Sequence, residues 1–233
     1  MNNTQINRIA IQRVSKLFKD YPKEIMFVGG SVVSEYIDDP SALDIRPTAD
    51  IDIVIQLLSL SELETIREYL AKRDVYADQE SSVICRFKYE DIKIDVMSTK
   101  NVGWAPGNEW YEKGLKQAIT KSIEGIEIKL LPVEFFIASK ISAYKDRGED
   151  PRYDKDFNDI IYILDYRSTI IEDIKHADEK VIEYIIPFLK ILVKKELTEA
   201  VKPQIMEVDF SVERAIKIQN SLSELIADIT SNK

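Results

Sequence analysis

The residues with the clearest chemical potential stand in the run Asp50-Ile51-Asp52-Ile53-Val54-Ile55. On an extended strand, side chains two apart project to one face, so both carboxylates point the same way while isoleucines fill the other face. Two such charges repel unless a proton or a cation lies between them. Oxygen donors select a hard cation, so the pattern predicts Mg²⁺ or Mn²⁺ rather than zinc. A second acidic strand, Asp91-Ile92-Lys93-Ile94-Asp95-Val96, holds Asp95 among apolar neighbours, where an unpaired charge is costly. Asp95 is therefore expected to be the third ligand of the same centre. Upstream, the apolar run Ile25 to Val28 ends at Gly29-Gly30-Ser31. Glycines let a backbone approach phosphate oxygens closely, and Ser31 with a following helix N-terminus offers donors to them. Taken singly, the Gly-Gly-Ser motif is also a plain strand-to-helix turn and the Asp-x-Asp motif a solvated sheet edge. Their order along the chain favours a single site, in which two cations about 3.5–4 Å apart activate a hydroxyl and clamp a triphosphate.

The elements that must position these groups are legible in the apolar spacing. Ile6, Ile9, Ile11, Val14, Leu17 and Phe18 recur at mostly three- and four-residue steps, predicting a helix over 4–19. Strand 25–28 then leads through the Gly-Gly turn into a helix from Ser31 to Tyr36 capped by Ser31. A loop with two prolines follows to Thr48, then a strand from Ala49 to Leu57. Ser61 with Glu64 reads as a capping box opening a helix to Lys72. Strands are expected near 74–77, 82–89 and 92–97, the last two joined by a hairpin turning at Glu90-Asp91. The stretch Asn101 to Gly114 lacks periodicity and is expected to be a loop. A strand pair spans 117–130, and Pro132 opens a series of helices to Lys233. Within it, Ile182, Ile185, Ile186, Leu189, Leu192 and Val193 form a core stripe. The expected fold class is α/β (α+β), with an α/β domain over 1–131 and a helical C-terminal domain over 132–233.

Composition narrows the function classes. The chain has 233 residues, 45% hydrophobic and 31% charged, with only seven glycines and eight prolines, which is the profile of a folded globular chain. A formal charge of −9 and a pI near 4.9 argue against broad electrostatic binding to duplex nucleic acid. The one histidine, His176, stands between Lys175 and Ala177 in a polar helical stretch, which argues against a Cys–His dyad or a His-rich zinc site, and the one cysteine, Cys85, leaves no thiolate metal site or internal disulfide. Cys85 sits in an alternating strand pattern and reads as packing. No leader-like segment and no apolar run of roughly 18 residues occurs, so the expectation is a cytoplasmic protein that does not enter membrane.

The order Gly29-Gly30-Ser31, Asp50-Ile51-Asp52, Asp95 resembles the polymerase-β-like nucleotidyltransferases over roughly residues 24–97. Further on, the segment Lys140 to Asp159 is similar to the Lys, Arg and Lys-Asp-x-x-Asp pattern of AbiEii-type toxin nucleotidyltransferases. That resemblance implies a mixed nucleotidyltransferase sheet and Mg²⁺- or Mn²⁺-dependent transfer of an NMP from an NTP to a hydroxyl, with release of pyrophosphate. It gives Asp50, Asp52 and Asp95 the metal and catalytic roles, Lys140 a catalytic role as well, and Gly29, Gly30, Ser31, Lys140 and Arg147 the nucleotide, with Asp156 and Asp159 in support. Either Arg147 or Arg152 takes the family's arginine position. It further implies the toxin of a toxin–antitoxin or phage-defence pair, with RNA such as tRNA, or a protein, as acceptor and a cognate antitoxin as partner. Read from the residues alone, Lys140 and Arg147 lie seven apart on one helix face, suited either to a triphosphate or to intrahelical ion pairs. Asp156 and Asp159 can orient those cations or serve as first-turn acids of the next helix. A small-molecule nucleotidyltransferase of the antibiotic-modifying type, and a catalytically silent nucleotide- or partner-binding module, are the competing readings.

Overall fold

The computed structural model describes residues 1–194, 201 and 211–231. The chain divides into two compact units, Met1–Ser34 with Asp44–Pro132, and Glu35–Leu43 with Val133–Lys233.

The first unit is a seven-stranded mixed sheet with helices. Its strands are β1 (Ile25–Val28), β2 (Asp50–Ile55), β3 (Tyr76–Ala77), β4 (Arg86–Tyr89), β5 (Ile92–Ser98), β6 (Ile119–Ile123) and β7 (Ile126–Leu130), in the order β3-β4-β5-β2-β1-β7-β6. The centre is β1, β2 and β5. The β2 strand runs antiparallel to β1 and parallel to β5, with Val28 opposite Asp52 and Asp52 opposite Asp95. Ile51, Ile53, Val54 and Ile55 of β2 are at most 2% exposed, so burial of these β-branched side chains locks the register that aligns the acids.

Helix α1 (Asn3–Leu17) is capped by Asn2, whose side chain accepts from the Gln5 amide. It buries Asn7, Ile11, Val14 and Leu17. Ile6 and Ile9, expected on that face, are instead exposed. Beyond β1 the chain forms a 3-10 helix over Gly30–Tyr36 rather than an α-helix capped by Ser31. Helix α2 (Leu60–Ala71) starts two residues earlier than Ser61 predicts. Ser59 Oγ accepts from the Glu62 amide at 3.2 Å, and Glu62 Oε2 accepts from the Leu58 amide at 2.7 Å. The sequence offers two overlapping Ser-x-x-Glu frames, and packing of Leu63, Ile66 and Leu70 selects between them. A second correction concerns the stretch expected to be a loop. Residues Glu109–Lys116 form helix α3, capped by Asn108, with Trp110, Tyr111 and Gly114 buried. Eight residues are too few for a periodic pattern to declare itself, and tertiary burial of two aromatics stabilises what local propensity leaves open.

The second unit is helical: α4 (Val133–Arg147), α5 (Lys155–Tyr166), α6 (Ile170–Lys175), α7 (Glu179–Leu192) and α8 (Ser211–Ser231). Helix α4 begins directly after Pro132 and buries Val133 and Phe135 to Ile141, Ser139 and Lys140 included, with no exposed residue in that stretch, which makes it the central helix of its unit. It packs on α5, α6 and α7, and α8 packs on α5, α6 and α7. The stripe of α7 centres on Val181, Ile185, Phe188, Leu189 and Leu192, with Ile182 and Ile186 at its half-buried flanks. The segment Glu35–Leu43 is pinned to α5 and its C-terminal end. The Asp39 amide donates to Tyr166 O, Arg167 Nη1 donates to Tyr36 O at 2.8 Å, and the Tyr162 hydroxyl donates to Leu43 O at 2.5 Å. The expectation of helix through Lys233 falls in part on residues 195–200, 202–210 and 232–233, which lie outside the described residues. Among the described residues no helix is long and apolar enough to cross a membrane.

Candidate active site

Pairing of β2 with β5 brings the three acids of the first unit together. Asp52 and Asp95 are direct partners in neighbouring strands, and Asp50 lies two residues before Asp52 on the same face. Asp95 is 7% exposed, while Asp50 and Asp52 are half-buried. Thr48 Oγ1 lies 3.3 Å from Asp50 Oδ1 and donates toward it.

The cation that stands among these acids is Arg86, which the sequence reading did not single out. Its Nη2 donates to Asp50 Oδ2 at 2.5 Å and to Asp95 Oδ2 at 2.7 Å, and its Nε donates to Asp95 Oδ1 at 2.7 Å. The Asp95 contact is thus a two-pronged guanidinium–carboxylate pair, the strongest common form of such bonding. Hydrogen bonding to Asp95, together with the charges of Asp95, Asp50 and Asp52, holds the guanidinium above its usual range, against the opposing effect of burial. A signal for Arg86 was present in the chain. A hairpin turning at Glu90-Asp91 sets residue against residue in register, and that register places Arg86 opposite Asp95. Beside it, burial pushes the Cys85 thiol up to about 11, with the charges of Asp95 and Asp52 acting in the same direction. Burial and the charge of Asp52 also push the Tyr111 phenol well above its usual range, so helix α3 supplies a side chain to the electrostatic surroundings of Asp52.

The Gly-Gly-Ser turn abuts the acids. Gly29 has φ +74°, and a Cβ built on it would lie 1.7 Å from Asp52 Oδ2. Only glycine tolerates both the left-handed backbone and that approach. A Cβ on Gly30 would lie 2.7 Å from Arg46 Nη2, which puts a second guanidinium against the turn. Ser31 is 1% exposed, and its hydroxyl has no hydrogen-bond partner among the described residues. A buried hydroxyl without a partner costs roughly 1–3 kcal/mol.

These residues fit a hard divalent cation by donor chemistry. Asp50 and Asp95 already converge on one positively charged nitrogen, and every donor is a carboxylate oxygen. Among the described residues no group of three or more His, Cys, Asp or Glu is drawn into metal-ligating geometry. The guanidinium of Arg86 takes the position between Asp50 and Asp95.

The remaining predicted residues belong to the second unit. Lys140, 6% exposed on α4, donates to Asp156 Oδ1 at 2.8 Å and to Asp159 Oδ2 at 2.6 Å on α5. Arg147 pairs with Asp156 and donates from Nε to Asp154 Oδ2 at 3.1 Å. Asp154 also caps α5, its Oδ1 accepting from the amides of Asp156 and Phe157. Two cations of α4 and three acids at the start of α5 form one mostly buried network. Arg152, the alternative to Arg147, is exposed and pairs with Asp150 at 2.6 Å. Trp110 is buried, and Trp104 packs against Phe87 in a tilted arrangement with ring centroids 5.3 Å apart, whereas Tyr153 is 79% exposed.

Comparison with known proteins places this fold. No protein-family model matches the chain, and no curated protein matches it in sequence. Solved structures do match. A crystal structure of an antigenic nucleotidyltransferase-like protein from Paracoccidioides brasiliensis is similar over 85% of this chain and 93% of that one, at TM-score 0.50 and 14% identity. The solution structure of the antibiotic-resistance factor ANT(2'')-Ia, described with substrate-regulated conformation dynamics, is similar over 82% of this chain and 94% of that one, at TM-score 0.51 and 12% identity. The protein thus has a nucleotidyltransferase-like fold, a mixed sheet with a helical C-terminal region.

Proposed function

We propose that the protein is a divalent-cation-dependent nucleotidyltransferase that moves an NMP from an NTP to a hydroxyl acceptor. The observation that carries this reading is the alignment of Asp50, Asp52 and Asp95 across β2 and β5, with Gly29 packed directly on Asp52. The fold neighbours and the order of motifs support it. In the reaction the acceptor oxygen bonds to the α-phosphorus as the bond from that phosphorus to the bridging oxygen breaks, and pyrophosphate leaves. Asp50 and Asp52 hold the cations. Asp95 holds one of them and takes the acceptor proton. Gly29, Gly30 and Ser31, with Arg46 beside them, orient the phosphates. When bound, Mg²⁺ or Mn²⁺ neutralises the triphosphate and makes the acceptor hydroxyl more acidic. The assignment of Lys140 and Arg147 to phosphate rests on the resemblance. Of the two, Arg147, with 32% of its side chain exposed against 7% for Lys140, is the better able to take an outside partner.

Two acceptor classes follow. Resemblance to AbiEii-type toxins supports an RNA, tRNA included, or a protein, with a cognate antitoxin as partner. The net charge of −9 and the likeness of fold to an antibiotic-resistance factor favour a cationic small molecule, which an acidic protein attracts. The test incubates the protein with each of four labelled NTPs and Mg²⁺, with total RNA in one arm and a panel of cationic, hydroxyl-bearing antibiotics in the other. Asp50→Ala and Asp52→Ala serve as controls. Labelling of one acceptor class by wild type, lost in both variants, is the expected outcome. Equal background labelling in all three proteins rules the enzyme reading out.

A further inference from the structure

A guanidinium that spans two carboxylates assigned to a metal raises a direct question, because its nitrogen fills the gap between Asp50 and Asp95 that a cation would enter. Arg86 Nη2 is within 2.5 Å of Asp50 Oδ2 and 2.7 Å of Asp95 Oδ2, and Nε holds the other oxygen of Asp95. Three short charge-assisted bonds leave Asp95 with both oxygens engaged. The Arg86 side chain is only 14% exposed and that of Asp95 10%, so little water competes for these contacts. The arrangement is built into the sheet: Arg86 and Asp95 are register partners of β4 and β5, and Asp50 lies on the next strand, β2, on the other side of β5. One side chain therefore reaches from the fourth strand across β5 to β2.

We propose that Arg86 is a positioning residue that stands in for the divalent cation: it holds Asp50 and Asp95 together in the metal-free protein and must leave them for the cation to bind. The inference rests on the metal-dependent reading above. It assigns two consequences to one residue. Without metal, Arg86 offsets the mutual repulsion of Asp50, Asp52 and Asp95, which would otherwise destabilise the centre of the sheet. With metal, it acts as a competitor, so affinity for the cation is set by how readily the guanidinium swings away.

The test uses the full chain and Mn²⁺ or Mg²⁺ alone. Mn²⁺ affinity is measured by calorimetry, with folding checked by circular dichroism, for wild type, Arg86→Gln, Arg86→Lys and Asp52→Asn. The expected result is binding by wild type, binding at least about tenfold tighter in Arg86→Gln, as loss of competing charge-assisted bonds requires, and weakened binding in Asp52→Asn. Arg86→Lys, which keeps the charge and loses the fork, should fall between wild type and Arg86→Gln. In parallel, the Nε–H resonance of Arg86 in wild type, assigned by its absence from Arg86→Lys, should shift on Mg²⁺ titration with the same midpoint as the amides of Asp50 to Asp52. This second measurement decides the matter if Arg86→Gln fails to fold. A folded Arg86→Gln that binds Mn²⁺ no tighter than wild type overturns the proposal, as does an Nε–H signal unmoved at saturating Mg²⁺. If Asp52→Asn still weakens Mn²⁺ binding in that case, the metal reading survives alone. Absence of Mn²⁺ binding and of any Mg²⁺-induced shift in wild type removes both.

Discussion

Replacing Gly29 by alanine isolates the contact on which the site is built. The backbone there has φ +74°, and the new Cβ would sit 1.7 Å from Asp52 Oδ2, 2.6 Å from its Cγ and 2.9 Å from its Cβ. Two costs follow. Holding an alanine in the left-handed region costs about 1–2 kcal/mol, and forcing a methyl into an occupied position costs about 1–3 kcal/mol more through displacement of its neighbours. The expected destabilisation is therefore about 2–5 kcal/mol, a large part of the roughly 5–15 kcal/mol that holds a typical domain folded. Asp52 cannot keep its rotamer, so Mn²⁺ affinity should fall with it. The control is Gly125→Ala, at φ +85° with nothing within 4 Å of its Cβ position, which bears only the backbone cost. Both positions lie in the first unit, as do Trp104 and Trp110, the only two tryptophans. Urea unfolding followed by tryptophan fluorescence therefore reads the relevant unit. Equal midpoints for the two variants, within about 0.5 kcal/mol, with Mn²⁺ binding unchanged in Gly29→Ala, would refute the claim that Gly29 exists to make room for Asp52.

Lys140→Met takes the buried ammonium away from Asp159 and leaves Asp156 with Arg147 alone, and should destabilise the helical unit by about 3–5 kcal/mol, read as an early loss of helical circular dichroism; a variant as stable as wild type would show that the Lys140 pairs hold nothing together. Ser59→Ala should cost about 1 kcal/mol, whereas Ser61→Ala should stay within about 0.5 kcal/mol; the reverse order in urea unfolding would return the start of α2 to Ser61. The Cys85 thiol, pushed up to about 11 from 9.0, should resist alkylation at pH 8 in the folded protein and react at once in denaturant. Because the folded value is the raised one, the stability tied to the neutral thiol is complete below pH 9 and lost as pH rises through 11. The melting temperature of wild type relative to Cys85→Ala should accordingly hold steady up to pH 9 and fall beyond it.

What the sequence determines by itself is the set of strands and the alternation within them. Asp50-Ile51-Asp52-Ile53 can only place two carboxylates on one face once it is extended, and burial of the isoleucines leaves no choice of face. The glycines of the turn and the helical character of the C-terminal half are legible for the same reason: local geometry and apolar period suffice. The tertiary structure alone decides which strands become neighbours. Parallel pairing of β2 with β5 skips the intervening α2, β3 and β4, and the energy that selects it is spread over side chains distant in sequence. That pairing aligns Asp52 with Asp95 and brings Arg86 onto Asp50. Helix α3 is decided in the same way, since Trp110 and Tyr111 are buried against partners that a short segment cannot announce. The lysine and arginine of α4 carry the same lesson. Their spacing places them on one helix face, while the identity of what they meet, Asp154, Asp156 and Asp159, follows from α5 packing on α4. A buried charge takes the nearest acid the fold supplies.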